Sequence, residues 1–251
     1  MDDFKDLAFT KFSVGQSVSR FEDPELLKGE GTYTDDVKSE SDTFQAFAFR
    51  SPYAHAKILE INISDAINQP GVLDIITHKD MDDSNIGPIP CLTADKLKGK
   101  DGNGIKVPPL ISLAKDKLYY VGQPLAFIIA DTLNNAKNAA DFIMLDVDEL
   151  DVIVDPKESM KVDMPPIHPS LENNIAIDWD YGDKDDVDNI IEKAKYKTSI
   201  ELRNSRLIVS AMEPRACMAS YDNKSSTYNL HSPSQGLFGF SNILANIFGV
   251  E

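Results

Sequence analysis

The sharpest candidate for chemistry is Ser234-Gln235-Gly236, which stands directly before an apolar run from Leu237 to Phe248. Phe240, Ile243, Leu244 and Ile247 fall on one face of that run, and Gly249 follows it as a natural stop, so the run reads as a helix. A glutamine at its entrance offers a neutral amide that can donate and accept hydrogen bonds. Gly236 allows a close backbone approach, and a helix N-terminus favours anionic groups. On the residues alone, the favoured role for Gln235 is helix capping. Further back, Met212-Glu213-Pro214-Arg215 sets a carboxylate and a guanidinium on either side of a proline. Glu213 and Arg215 suit a buried polar network near a pocket, or equally an ordinary ion pair at a strand start.

Other chemistry is excluded by spacing. The four histidines, at 55, 78, 168 and 231, show no ligand pattern, and the two cysteines, Cys91 and Cys217, form no C-x-x-C. An iron–sulfur cluster or structural zinc held by this chain alone is therefore not expected. The acidic run Asp178 to Asp188 fails as a calcium loop: counted from Asp178, glycine falls at the fifth position (Gly182) and Asn189 stands at the twelfth. It reads as a solvated helix N-terminus. Gly99, Gly102 and Gly104 do not spell a dinucleotide fingerprint, and no serine-hydrolase, zinc-protease or phosphate-loop motif occurs.

These residues must be positioned by a chain of 251 residues, 42% hydrophobic, with a formal net charge of −16. That length and composition support a sizeable core, and the charge argues against nucleic-acid or anionic-membrane partners. The acidic, unapolar N-terminus lacks signal-peptide character, which points to a soluble, cytoplasmic protein with reduced thiols.

Strands are expected at Thr32–Thr34, at Thr43–Phe49 (apolar enough to be buried on both faces), at Lys57–Ile63 and at Val72–Thr77, with a short helix capped by Ser64 between the last two. Residues 81–117 read as loop, Leu118–Val121 as a strand, Gly122-Gln123-Pro124 as a break, and 125–130 as a strand. A helix capped by Asp131 or Thr132 follows, its apolar face running from Leu133 through Ala136, Ala140 and Ile143 to Met144; strands follow at 145–148 and 152–155. After a Pro- and Asn-rich linker come a helix from Val187 to Ala194 and strands at 196–202, 206–210, 216–221 and 227–231.

Read together, GQSVSRFEDPELLKGEGTYTDD, FRSPYAHAKI, YYVGQPLAFIIAD with its helix and DVDEL, then DWDYGD, SAMEPRACMASYD and HSPSQGLFGFSNILANIFGVE, make an ordered series from Gly15 to the end. The series resembles the large subunits of the xanthine dehydrogenase, aldehyde oxidase and carbon monoxide dehydrogenase family. R-x-E-D-P and M-E-P-R are similar to the carbon monoxide dehydrogenase-like branch. The resemblance implies an α+β fold. Residues 1–27 would be a tail and lead-in, 28–155 an a/b hammerhead domain, 156–174 a linker, and 175–251 the beginning of an α/β molybdopterin-binding domain.

The resemblance further implies that Gln235 hydrogen-bonds an oxygen on molybdenum, that Gly236 lies against the cofactor, and that Glu213 and Arg215 stand behind them. The cofactor would be molybdenum–molybdopterin in its cytosine dinucleotide form. The 2Fe-2S clusters and FAD would sit on partner subunits, the complete enzyme being a dimer of heterotrimers. The family's glycine-rich cofactor loop and glutamate general base, and the copper-binding cysteine of its carbon monoxide-oxidising type, would lie further along, and none is in residues 1–251. The chain is thus expected to be a gene fragment, a truncated form or one part of a split subunit, inactive alone. The alternative is a non-catalytic interaction or assembly module that uses the hammerhead without cofactor.

Overall fold

A computed structural model describes Val18 and residues 20–37, 42–161, 163–171, 173–205 and 207–250. The fold is mixed α+β, and the chain divides into two compact units, Ser41–Arg203 with Gly236–Glu251, and Met1–Glu40 with Asn204–Gln235. The N-terminal tail before Val18 lies outside the described residues.

The larger unit is organised around β5 (Pro124–Ala130), an almost continuous apolar run, PLAFIIA. Such a run suits a central strand covered on both faces. β5 lies between β1 (Gln45–Arg50) and β3 (Val72–Thr77), antiparallel to both, so Ile128 faces Phe47 on one side and Ile75 on the other. On this sheet packs α3 (Leu133–Ala140), whose Thr132 side chain accepts from the Asn135 N–H at 3.2 Å. The helix buries three alanines, Ala136, Ala139 and Ala140, against Ile75, Ala126, Ile128 and Ala130. A second sheet has the order β4 (Lys117–Leu118), β2 (Ala56–Asn62), β6 (Met144–Glu149), again antiparallel. Ala56 and Leu118 of this sheet join Leu125 of the first and Ala114 in a second buried cluster, and Phe49 and Ile61 pack on both clusters.

Several elements differ from the pattern in the sequence. In β2 the alternation breaks where the register slips between Ile58 and Glu60; Leu59 turns to solvent, and the apolar side passes from Ile58 to Ile61. A β-bulge of this kind adds one residue and reverses the faces beyond it. β1 is only half-buried, with Phe44 just outside it and exposed. The segment after Ser64 is a series of turns instead of a helix, and the Asn62 side chain accepts from the Ser64 N–H at 3.0 Å, reversing the expected capping role. Thr34–Asp36 forms a 3-10 turn because the Asp36 carboxylate takes the Tyr33 N–H at 2.9 Å, a local bond that displaces strand pairing.

A helix, α2 (His78–Asp83), stands where a loop was expected to begin, opened by a reciprocal Thr77–Asp80 capping box. α3 ends at Ala140, so Ile143 is buried in the turn and Met144 opens β6 on its exposed side. Residues 152–155 are not a strand. Val154 is exposed, and Asp155 caps α4 (Pro156–Ser159) by accepting from the Lys157 N–H at 2.8 Å.

α5 (Lys184–Lys193) begins inside the acidic run, with Asp183 accepting from the Asp186 N–H at 2.9 Å. α6 (Leu237–Phe248) has the expected face, with Phe240, Ile243, Leu244 and Ile247 half-buried and Gly249 in the left-handed region at φ 64°. The Ile247 carbonyl accepts from the Gly87 N–H at 2.8 Å, tying α6 to the loop after α2.

The smaller unit holds α1 (Asp23–Lys28), closed by Gly29 at φ 73°, and a hairpin of β7 (Met218–Asp222) and β8 (Thr227–His231). The strand patterns at 196–202 and 207–210 pair with nothing among the described residues, and Leu207, Ile208 and Val209 are exposed; Arg206 lies outside the described residues. Alternation marks a strand only when a neighbour supplies the ladder.

Candidate functional site

Gln235 and Gly236 connect β8 to α6, and both are exposed. Gly236 is the N-cap residue of α6, with φ −175° and ψ 100°, extended backbone that any residue can adopt. No side chain caps the helix, so Gln235 does not serve as its cap. The first turn contains no acid, and a Cβ at either Gly236 or Gly239 would meet nothing within 4 Å. The fold itself therefore does not demand glycine at these positions. The first-turn N–H groups of any α-helix lack intrahelical acceptors. Here Gln235 precedes them in sequence, Gly236 and Gly239 leave open space beside them, and Leu237 and Phe238 are exposed. This donor set fits a large anionic cofactor: it supplies hydrogen-bond donors, no competing carboxylate, and backbone that can be approached closely.

Glu213 is half-buried and Arg215 exposed. Neither takes part in an ion pair among the described residues, so the structure forms neither the polar network nor the simple salt bridge that their spacing allowed. Among the described residues no three His, Cys, Asp or Glu side chains gather as a metal site. Both cysteines are free and exposed. An open cleft of about 250 Å3 lined by Lys100, Asp101, Lys106, Asn173 and Asp178 includes none of the four candidate residues.

Two of the motifs do meet. The Ser51 N–H donates to the Gln123 carbonyl at 2.9 Å, the Gly122 N–H donates to the Ser51 carbonyl at 2.8 Å, and the Arg50 guanidinium donates to the Gly122 carbonyl at 2.9 Å. The Gln123 side-chain oxygen accepts from the Tyr119 N–H at 2.8 Å. Gln123 and Ser51 are the two buried polar residues of the described chain, at 6% and 2% exposure. Burial is tolerated because their polar groups are paired. Gly122, at φ 87°, turns the backbone so that its carbonyl and N–H can both be used. The sequence marked Gly122-Gln123-Pro124 only as a break between strands. A polar side chain wedged between glycine and proline, ahead of an apolar strand, was the available signal for this clasp.

Residues 28–151 match the family model for the aldehyde oxidase and xanthine dehydrogenase a/b hammerhead domain, and residues 167–251 match that for the molybdopterin cofactor-binding domain. A hammerhead followed by the beginning of a cofactor-binding domain is the arrangement of molybdenum hydroxylase large subunits. The chain belongs to the xanthine dehydrogenase, aldehyde oxidase and carbon monoxide dehydrogenase large-subunit family. It is 31% identical over 215 residues to the nicotine 6-hydroxylase large subunit of Paenarthrobacter nicotinovorans, covering 85% of this chain and 25% of that protein. It is 29% identical over 221 residues to the carbon monoxide dehydrogenase large chain of Afipia carboxidovorans, covering 83% and 26%.

Among solved structures, reconstituted CO dehydrogenase from Oligotropha carboxidovorans superposes with a TM-score of 0.80 at 26% identity, over 94% of this chain and 29% of that one. Quinoline 2-oxidoreductase from Pseudomonas putida 86 shares the fold, with a TM-score of 0.80 at 22% identity over 96% and 29%. The chain thus spans about a quarter of the length of the curated relatives it matches. No helix among the described residues is long and apolar enough to cross a membrane.

Proposed function

We propose that this chain supplies the hammerhead domain (28–155) and the first part of the cofactor-binding domain (175–251) of a molybdenum hydroxylase, joined by a linker at 156–174. The observation that carries the reading is the uncapped, acid-free start of α6, preceded by Gln235 and Gly236, inside the segment that matches the molybdopterin-binding model. When bound, molybdenum–molybdopterin supplies a two-electron oxidation of a small aldehyde, an N-heterocycle or carbon monoxide, with water as the oxygen source.

The chain's own part is positional. Gln235 donates a side-chain N–H toward the cofactor, and Gly236 with the first turn of α6 presents backbone N–H groups to its anionic portion. Glu213 and Arg215 lie on the approach to β7 and shape the surroundings without touching the cofactor. The reading places the cofactor in its cytosine dinucleotide form and the protein in the cytoplasm. Partner subunits in a dimer of heterotrimers would hold 2Fe-2S clusters and FAD to receive the electrons, with the remainder of the large subunit completing the site.

Residues 1–251 made alone are expected to oxidise none of these substrates, because the resemblance places the general base and most pterin contacts outside them. Turnover with stoichiometric molybdenum in that preparation contradicts this. The reading frames flanking the gene provide a second check. Frames encoding the remaining large-subunit sequence beside iron–sulfur and flavin subunits support the enzyme, whereas an isolated gene favours a cofactor-free assembly module.

A further inference from the structure

Residues 163–171, between the hammerhead sheets and α5, are held in place by aromatic and histidine side chains. The His168 ring stacks on Tyr119 with centroids 4.1 Å apart and planes 18° apart. The His55 ring lies 6.5 Å from the same tyrosine. Lys117, at the start of β4, donates from Nζ to the Ile167 carbonyl at 3.0 Å and stands 5.5 Å over the Tyr119 ring. His55 Nδ1 lies 2.6 Å from the Asp151 carbonyl; since a carbonyl only accepts, that nitrogen carries the proton. Asn174, just beyond the segment, gathers it by accepting from the Ile167 N–H at 2.7 Å and donating to the Ser159 and Pro165 carbonyls. Leu171 is buried at 6% exposure and anchors the far end.

We propose that the His168–Tyr119 stack is an acid-released latch: a neutral His168 holds residues 163–171 on the hammerhead, and a protonated one lets them go. The groups facing His168 are Lys117, His55 and the ring of Tyr119, with Asp116 beside the tyrosine. Lys117 already stands over the Tyr119 ring, so a second positive charge on His168 meets Coulomb repulsion from it in a half-buried site. Burial, then Lys117, then His55 hold the His168 imidazole below the ordinary histidine range. A group with a lowered folded-state value stabilises fully above its unfolded pKa of about 6.5 and loses that contribution as pH falls through the folded value. The latch is therefore closed at neutral pH and opens on acidification. Asp116 lies beside Tyr119, and burial with Asp116 keeps the tyrosine hydroxyl un-ionised.

Hydrogen exchange on the full chain, corrected for the intrinsic pH dependence of exchange, tests this in steps from about pH 7.5 to about pH 5, which bracket the histidine range. The Ile167 and Leu171 amides, bonded to Asn174 and to the His168 carbonyl, should lose protection severalfold at the lower pH, while amides of β5 should not. His168→Phe keeps a stacking ring without a titrating nitrogen and should hold protection at both values. Lys117→Met removes the neighbouring charge and should move the release to higher pH. Equal protection of the native chain at both values overturns the proposal. So does a loss in His168→Phe as large as in the native chain, or an unmoved midpoint in Lys117→Met.

Discussion

Gln235→Ala in the assembled enzyme is expected to lower turnover about a hundredfold or more, with molybdenum content and melting temperature nearly unchanged. A preorganised donor aimed where charge shifts during reaction typically contributes about 2.7–4 kcal/mol to lowering a barrier. A lost helix cap costs about 0.5–2 kcal/mol of stability, and α6 has no side-chain cap to lose. Measuring rate, metal occupancy and melting on the same preparation separates the roles. Near-normal turnover at full occupancy shows that the glutamine is not used in the reaction. Loss of molybdenum shows that it retains the cofactor instead of speeding the chemistry.

Ile128→Ala is expected to destabilise the hammerhead by about 2–5 kcal/mol, the range for removing a buried isoleucine side chain. Ile128 has no exposure, lies mid-way along β5, and touches the cluster that α3 closes. Ala136, Ala139 and Ala140 of that helix share the cluster with Ile128, and in a close-packed core a lost side chain leaves a void. Val154→Ala, at a position 88% exposed, should change stability by no more than about 0.5 kcal/mol. Urea unfolding of the two variants provides the comparison. A loss below about 1 kcal/mol for Ile128→Ala contradicts the assignment of this cluster as the core.

The hammerhead core was legible because its signals are local and dense. LAFIIA names a central strand by composition alone, Thr132 announces α3, and Gly249 announces the end of α6. The misses share a physical cause: side chains that bond to nearby backbone compete with the repeating pattern. Asp36 turns the expected strand at 32–34 into a 3-10 turn, Asn62 replaces Ser64 as the organising residue, and Asp80 with Thr77 starts a helix in apparent loop. The bulge at Leu59 is set by pairing with β6, which lies more than eighty residues away and leaves no mark in the local alternation.

At the candidate site, the glutamine before α6 could be placed from sequence, but the absence of any cap at that helix could not. Spacing allowed Glu213 and Arg215 a polar network or an ion pair, and among the described residues they form no ion pair. The Ser51–Gln123 clasp went unseen because its partners are backbone groups, which carry no residue signature.

The central claim, that this chain belongs to a working molybdenum enzyme, is tested most directly by metal and cofactor analysis of the native assembly purified through a tag on this chain. The account predicts about one molybdenum with one pterin per copy of the chain, accompanied by iron and flavin. A homogeneous native assembly containing this chain with neither molybdenum nor pterin would contradict it, and would leave the hammerhead as an interaction module.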